Sequence, residues 1–292
     1  MNKYILICII ALLSLTYPPL LHAKSSVRVS FSSQSLKQGE VLLVNVSDKN
    51  GINTISGTMF NKPVHFYKNS AGKKYTALVG IDMETKPDSY KLNLNIEDIN
   101  GKEITKEYRF RIKSADFGTQ KLTLPPSKVT LDEETLKTVE IEKEKIGKVW
   151  EIFMEGRLWE GNFIQPVAGE MSDNFGLRRI INGEQKSPHT GVDIDAPEGT
   201  PVLASNSGRA IFTDDQFFSG KTLIIDHGLG LFTMYFHLSE ILVTEGTIVK
   251  KGELIAKVGN TGRATGPHLH WGARLNGARI NPKSLMSLIS LK

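Results

Sequence analysis

The sequence predicts a mostly β protein in two parts, joined by one amphipathic helix. Apolar residues alternate with polar ones from Ser26 to about Lys113, as half-buried strands require. They then recur at mostly helical spacing from Leu136 to Phe153. From about Trp159 onward, short strand-like runs alternate with glycine-rich turns. A length of 292 residues suits about two domains. A composition that is 40% apolar and 23% charged is enough to bury real cores.

Residues 1–23 read as an export signal. Met1-Asn2-Lys3 is basic, Tyr4 to Leu15 is apolar, Pro18-Pro19 breaks any helix, and Leu21-His22-Ala23 ends on a small residue. The apolar run falls short of the roughly 20 residues that span a bilayer. Ile7 is too large to precede a lipidated Cys8. The mature chain is therefore expected to start near Lys24, without stable membrane insertion. Its expected place is the periplasm, with an extracellular or wall-associated location as the alternative. Cys8 is the single cysteine and leaves with the signal, so any metal must be held by nitrogen and oxygen.

Residues 24–115 are expected to form an immunoglobulin-like β-sandwich. Val27, Val29 and Phe31 share one face, as do Leu42, Val44 and Val46. Tyr75, Ala77, Val79 and Ile81 repeat the pattern, followed by Tyr90 to Ile96 and Tyr108 to Ile112. Asn50-Gly51, Ala71-Gly72 and Asn100-Gly101 mark the turns between them. His65 stands alone here and reads as a packed strand histidine. Residues 116–158 are expected to be a linker, broken at Leu124-Pro125-Pro126, and then a helix. Thr130 and Glu133 form a capping box ahead of it. Leu136, Val139, Ile146, Val149 and Phe153 are expected to pack on a neighbouring domain.

The formal charge of +5 is spread along the chain, which gives no nucleic-acid signature. Partner and assembly expectations are accordingly no nucleic acid and a monomer.

The chemistry concentrates in residues 159–292, where four of the seven histidines sit in three motifs. In His189-Thr-Gly-Val-Asp193 an imidazole and a carboxylate four apart can converge on one metal ion. In Gly266-Pro-His268-Leu-His270, strand periodicity turns both histidines to the same face. Tyr235-Phe-His237-Leu adds a histidine within an apolar strand. One carboxylate and four imidazoles exceed what a closed four-ligand site needs. Three ligands plus two free histidines for proton transfer or charge stabilisation fit the count better.

These motifs resemble the M23 (lysostaphin/LytM-type) zinc metallopeptidases. His189 to Val202, Tyr235 to Leu238 and Gly262 to His270 match in order, with Ser172 to Arg178, Ile225 to Gly228 and Val249 to Gly252 as further family-like stretches. The resemblance implies a compact antiparallel sheet whose groove carries one zinc ion per chain. It implies His189, Asp193 and His270 as the ligands, and His268 and His237 as catalytic histidines. A zinc-activated water and a histidine base would then cut peptide stems or cross-links of peptidoglycan. D-Ala–diaminopimelate bonds are the first expectation and glycyl-glycine bonds the second. Asn174, Arg178 and Tyr235 are expected to line the groove, the arginine meeting a substrate carboxylate. His227, beside Gly228, is expected to hydrogen-bond at a turn. The alternative function is a catalytically silent regulator that binds and activates a cell-wall amidase. The front domain and helix lack a long tether, so docking against the groove is a further expectation.

Overall fold

The computed structural model describes residues 26–69, 74–123, 131–185 and 187–288. The export signal with Cys8, the Leu124-Pro125-Pro126 segment and Thr130 lie outside the described residues. The chain is mostly β, as the alternating pattern predicts.

The front half folds into two sheets. β1 (Arg28–Phe31), β3 (Val41–Ser47), β7 (Lys74–Gly80) and β6 (Phe66–Lys68) pair in that order. β2 (Ser35–Lys37), β9 (Glu103–Lys113), β8 (Ser89–Asp98), β4 (Ile52–Met59) and β5 (Lys62–Val64) form the second sheet in that order. β2 runs parallel to β9 while its neighbours are antiparallel. Read as A-B-E-D and A′-G-F-C-C′, this is the immunoglobulin strand order. Leu42, Val44 and Val46 of β3 meet Leu92, Leu94, Ile96 and Phe110 in one buried core. Each such side chain contributes about 1.5–3 kcal/mol by leaving water.

After β9 the chain adds a short strand, β10 (Thr119–Leu122), within the stretch expected to be linker. The helix α1 (Glu133–Val149) follows. Its cap is Asp132, whose side chain accepts from the Thr135 N–H at 2.7 Å, so the Thr130–Glu133 box does not start it. Glu133 and Glu134 sit in the first turn, where the helix dipole favours negative charge. Only the C-terminal end of α1 is seated. Ile146, Val149 and Trp150 pack on Phe212, Ile224, Phe232 and Met234. Leu136 and Ile141 remain 53% and 57% exposed, so the expected apolar face is covered over its last turns alone.

The back half is built around one large antiparallel sheet. β11 (Glu170–Met171), β14 (Gly191–Asp195), β21 (His268–Leu275), β18 (Leu231–Ile241), β17 (Gly220–Asp226), β16 (Gly208–Gln216) and β19 (Ile248–Val249) lie side by side in that order. β20 (Leu254–Val258) pairs β18 and β15 (Pro201–Leu203), and β22 (Ala278–Ile280) pairs β21. A separate hairpin, β12 (Arg178–Ile181) and β13 (Glu184–Gln185), takes β10 as a parallel third strand. Trp271, Tyr235, Leu223, Ile194 and Leu269 fill the core. Arg279 of β22 ties the halves together, donating from Nη2 to Asp82 Oδ1 at 2.8 Å and from Nε to Asp82 Oδ2 at 3.1 Å.

Candidate active site

Strand register places the chemistry. β14 and β21 pair so that Asp193 lies opposite His270, and Asp195 opposite His268. On the other side of β21, Phe236 of β18 lies opposite His270. His189 precedes β14, and its backbone is fixed at both ends. Its N–H donates to Leu177 O at 3.1 Å, and its carbonyl accepts from Gly176 N–H at 2.7 Å.

Three donor atoms converge there. His189 Nε2 lies 2.9 Å from His270 Nδ1, and each lies 3.1 Å from Asp193 Oδ1. Asn174 holds the constellation from behind. Its Nδ2 donates to Asp193 Oδ2 at 2.8 Å, its Oδ1 accepts from the Asp193 N–H at 3.2 Å, and its carbonyl lies 3.0 Å from His189 Nδ1. Burial pushes the pKa of His270 down to about 4, so its ring is neutral and offers a lone pair.

The residues present fit a metal ion. The bond to Asn174 O assigns the His189 proton to Nδ1, which turns the Nε2 lone pair inward. His270 Nε2 is buried with no hydrogen-bond partner, so no hydrogen bond on the far side of the ring explains its orientation. Two imidazole lone pairs and a carboxylate oxygen directed at one point repel one another unless a cation lies between them. Ligand atoms around a tetrahedral ion at 2.0–2.2 Å lie about 3.3 Å apart, close to the spacing here. Among the described residues these three form the metal-capable cluster. The glycine of the first motif is required for it. A Cβ on Gly191 would sit 2.6 Å from His270 Nε2 and 2.5 Å from the Trp271 carbonyl.

Two further histidines border the cluster. His268 Nδ1 lies 2.8 Å from Gly266 O, and its Nε2 lies 3.8 Å from Asp193 Oδ1. His237 Nδ1 lies 2.9 Å from Thr261 O. Its ring centroid is 4.8 Å from that of His268 and 6.2 Å from that of His270. Both rings therefore hold their proton on Nδ1 and present Nε2 as a base. Burial lowers the pKa of His237, which keeps it neutral near pH 7.

A β-bulge explains how His237 reaches the site. Register shifts so that Phe236 and His237 together oppose Thr222 of β17. His237 takes a left-handed backbone, φ 61°, at a cost of about 1–2 kcal/mol. Its N–H donates to Ser219 O at 2.8 Å, which holds the bulge. Regular alternation would turn consecutive residues to opposite faces. Here Phe236 stacks on His270 while His237 contacts the ring of His268.

The structure places the three expected groove residues differently from one another. Tyr235 is fully buried, its hydroxyl bonded to Ser205 Oγ at 2.7 Å, so it is a core residue and lines no groove. Asn174 supports Asp193 from behind. Arg178 begins β12, where its N–H donates to Gly118 O at 3.3 Å. His227 is fully buried between Ser207 O and Thr233 Oγ1, each at 2.8 Å, in the structural role expected of it. His65 packs against Phe153, with ring centroids 4.4 Å apart. Nothing in the sequence marks Phe236 as a site residue. Its place in the apolar run Met234-Tyr235-Phe236 reads as core, and its pairing opposite His270 across β18 and β21 brings it to the site.

The model of peptidase family M23 matches residues 187–282, which include His189, Asp193, His237, His268 and His270. A putative peptidase M23 from Pseudomonas aeruginosa is a solved structural relative. It is 32% identical, covers 86% of this chain and 95% of its own, and has a TM-score of 0.65. The DD-carboxypeptidase/endopeptidase Mpg of Neisseria meningitidis serogroup B is 48% identical over 128 residues, 43% of this chain and 30% of that protein. The peptidoglycan DD-endopeptidase ShyA of Vibrio cholerae serotype O1 is 41% identical over 112 residues, 38% and 26% respectively. The chain thus spans less than a third of the length of these curated relatives.

Proposed function

This chain belongs to peptidase family M23, and on that premise we propose that it is an exported zinc endopeptidase cutting peptide cross-links or stems of peptidoglycan. The observation that carries this reading is the pairing of a three-donor cluster with two histidines at its edge whose Nδ1 atoms face backbone carbonyls, leaving Nε2 as the basic atom. The names of the bacterial relatives support the substrate class. In this reading residues 159–292 form the peptidase unit.

His189 Nε2, Asp193 Oδ1 and His270 Nδ1 would hold the zinc. The donor set suits it, because two imidazoles and one carboxylate leave a tetrahedral ion a fourth position. When bound, the ion supplies a Lewis acid that polarises a carbonyl and lowers the pKa of water toward about 7. His268 Nε2, with His237 Nε2 beside it, takes the proton of the attacking water. Each ring can hold the resulting charge because its Nδ1–H already donates to a backbone carbonyl, Gly266 O or Thr261 O. That bond also fixes the tautomer, so Nε2 is the basic atom at every turn of the cycle. Asn174 keeps Asp193 Oδ1 aimed at the cluster by holding its other oxygen.

The test is a digest of purified peptidoglycan by the zinc-loaded protein, with the products read by mass spectrometry. New free amino termini at a D-Ala–diaminopimelate junction are expected. Zinc-loaded protein that releases nothing but stimulates a cell-wall amidase would replace the peptidase reading with the regulator.

A further inference from the structure

His237 is held at two atoms by two segments that also hold each other. Its backbone N–H donates to Ser219 O at 2.8 Å, and its Nδ1 lies 2.9 Å from Thr261 O. Phe217 to Ser219 form the turn between β16 and β17, and Thr261 lies in the loop between β20 and β21. The Arg263 backbone N–H donates to Phe218 O, and the Lys221 backbone N–H donates to Thr261 Oγ1, each at 2.9 Å. Ser219 is pinned as well, since its Oγ donates to Gln216 Oε1 and accepts from Thr222 Oγ1, each at 2.9 Å. Whatever shifts this turn therefore shifts the support of His237.

The connecting helix reaches the same turn. Glu142 of α1 accepts the backbone N–H of Phe217 with both carboxylate oxygens, at 3.0 and 3.1 Å. Gln216 opposite Gly220 is the last pair between β16 and β17, so the Phe217 N–H lies outside the ladder and the carboxylate serves as its acceptor. Glu142, Lys145, Ile146 and Val149 recur at helical spacing and share one face of α1. Lys145 Nζ lies 3.3 Å from Asp214 Oδ2 of β16, and Ile146 and Val149 sit in the apolar cluster with Phe212 and Ile224. A bond from an amide to a carboxylate is about twice as strong as one between neutral groups. His237 needs such support, because a left-handed backbone at a residue other than glycine persists only where its surroundings over-determine it.

We infer that Glu142 is a positioning residue for His237. Through the Phe217–Ser219 turn, the connecting helix keeps the bulged backbone of His237 seated and its ring against that of His268. What His237 does once positioned rests on the peptidase reading above. How it is held rests on the contacts alone. Glu142 lies outside residues 187–282, which match the family, so the helix adds to the family's unit a support from this chain's own connecting segment.

The test compares Glu142→Ala, Glu142→Gln and Lys145→Ala with wild type, each as the full chain. Backbone amide hydrogen exchange, read by NMR on the metal-free protein, reports how firmly His237 is held without any reference to catalysis. In Glu142→Ala the His237 amide is expected to exchange about tenfold faster, while those of Ile224 and Met234, within the same sheet, stay as they were. Glu142→Gln keeps an acceptor oxygen and should recover most of the protection. Lys145→Ala removes only an exposed ion pair and should leave His237 unchanged. On the zinc-loaded chains, Glu142→Ala should lose about tenfold in kcat toward peptidoglycan fragments, with KM and zinc content unaltered. An unchanged His237 amide, or faster exchange spread equally over Ile224 and Met234, would overturn the assignment. So would a Glu142→Ala enzyme that cleaves with the kcat of wild type. A wild type that cleaves nothing, with the exchange result as expected, removes the peptidase reading and leaves the hold on His237 standing.

Discussion

The ring of Phe236 lies within 4° of parallel to the ring of His270, with centroids 5.1 Å apart. Metal-binding histidines are usually oriented by a hydrogen bond from the far ring nitrogen. In His270 that atom, Nε2, is buried and unpartnered, so packing does the orienting. Phe236→Ala should free the ring to rotate while leaving the fold intact. Zinc affinity is expected to fall about 10–100-fold, the usual size of a lost supporting contact. Competition against a chromophoric chelator measures it. Unchanged affinity would mean that Asp193 and His189 alone hold His270 in place.

Gly191 guards the opposite edge of the same ring. Its missing Cβ leaves the space that His270 Nε2 and the Trp271 carbonyl occupy. Gly191→Ala pushes on the backbone of β21, which cannot yield as a flexible side chain could. Loss of zinc together with a lowered melting temperature is expected, in contrast to Phe236→Ala, where zinc alone should suffer. Metal content and a thermal melt on the same sample separate the two.

Asn174 makes both of its side-chain contacts to Asp193. Asn174→Ala should keep the His189 bond, which uses the backbone carbonyl, and release the carboxylate to rotate. Zinc affinity is expected to drop by about tenfold or more. Asn174→Asp should be worse, because it sets a second negative charge against Asp193 Oδ2. Equal affinities for the Ala and Asp variants would show that this contact does not orient the carboxylate.

The donor cluster was legible because its spacing follows strand periodicity. His268 and His270 are two apart on β21, and Asp193 faces His270 across one register step. The front sandwich was legible for the same reason, since Leu42, Val44 and Val46 alternate inward. Contacts between distant segments were not. Asn174 reaches Asp193 across 19 residues, and no local pattern marks such a bond. Tyr235 resembles a groove residue by its place beside His237, yet alternation sends it into the core. The bulge at Phe236 and His237 breaks that alternation, and nothing in Tyr235-Phe236-His237-Leu238 announces the break. For the helix start, Thr130 with Glu133 and Asp132 with Thr135 offer competing local signals. The aspartate won by bonding Thr135 N–H.

Single replacements should separate the roles of the histidines. His270→Ala is expected to lose both zinc and activity. His268→Ala and His237→Ala should keep zinc and lose about 10²–10⁴-fold in kcat, the range of a general base. Burial lowers the pKa of His237, so it becomes charged only below the usual histidine value of about 6.5. The acid limb of kcat/KM should therefore lie below that value. A limb above it, or equal zinc loss in all three variants, would overturn the assignment.

His227 gives stability a pH dependence that is separate from the metal. It is fully buried and bonded on both ring nitrogens, and burial pushes its pKa down to about 4. Unfolded, its pKa returns to about 6.5. Between those values the unfolded chain binds a proton that the folded chain refuses, so stability falls as the pH falls. The contribution is fully present above about pH 6.5 and exhausted below about pH 4. From pH 7 to pH 5 the loss from this one residue comes to about 2 kcal/mol by linkage. His227→Gln should lower stability at pH 7, because Gln cannot span Ser207 O and Thr233 Oγ1 in the same geometry. It should also flatten the slope by that amount. Urea unfolding of both proteins at the two pH values, with chelator present to exclude metal, measures the difference. Parallel slopes would mean that His227 takes up a proton in the folded chain, which its two hydrogen bonds and complete burial oppose.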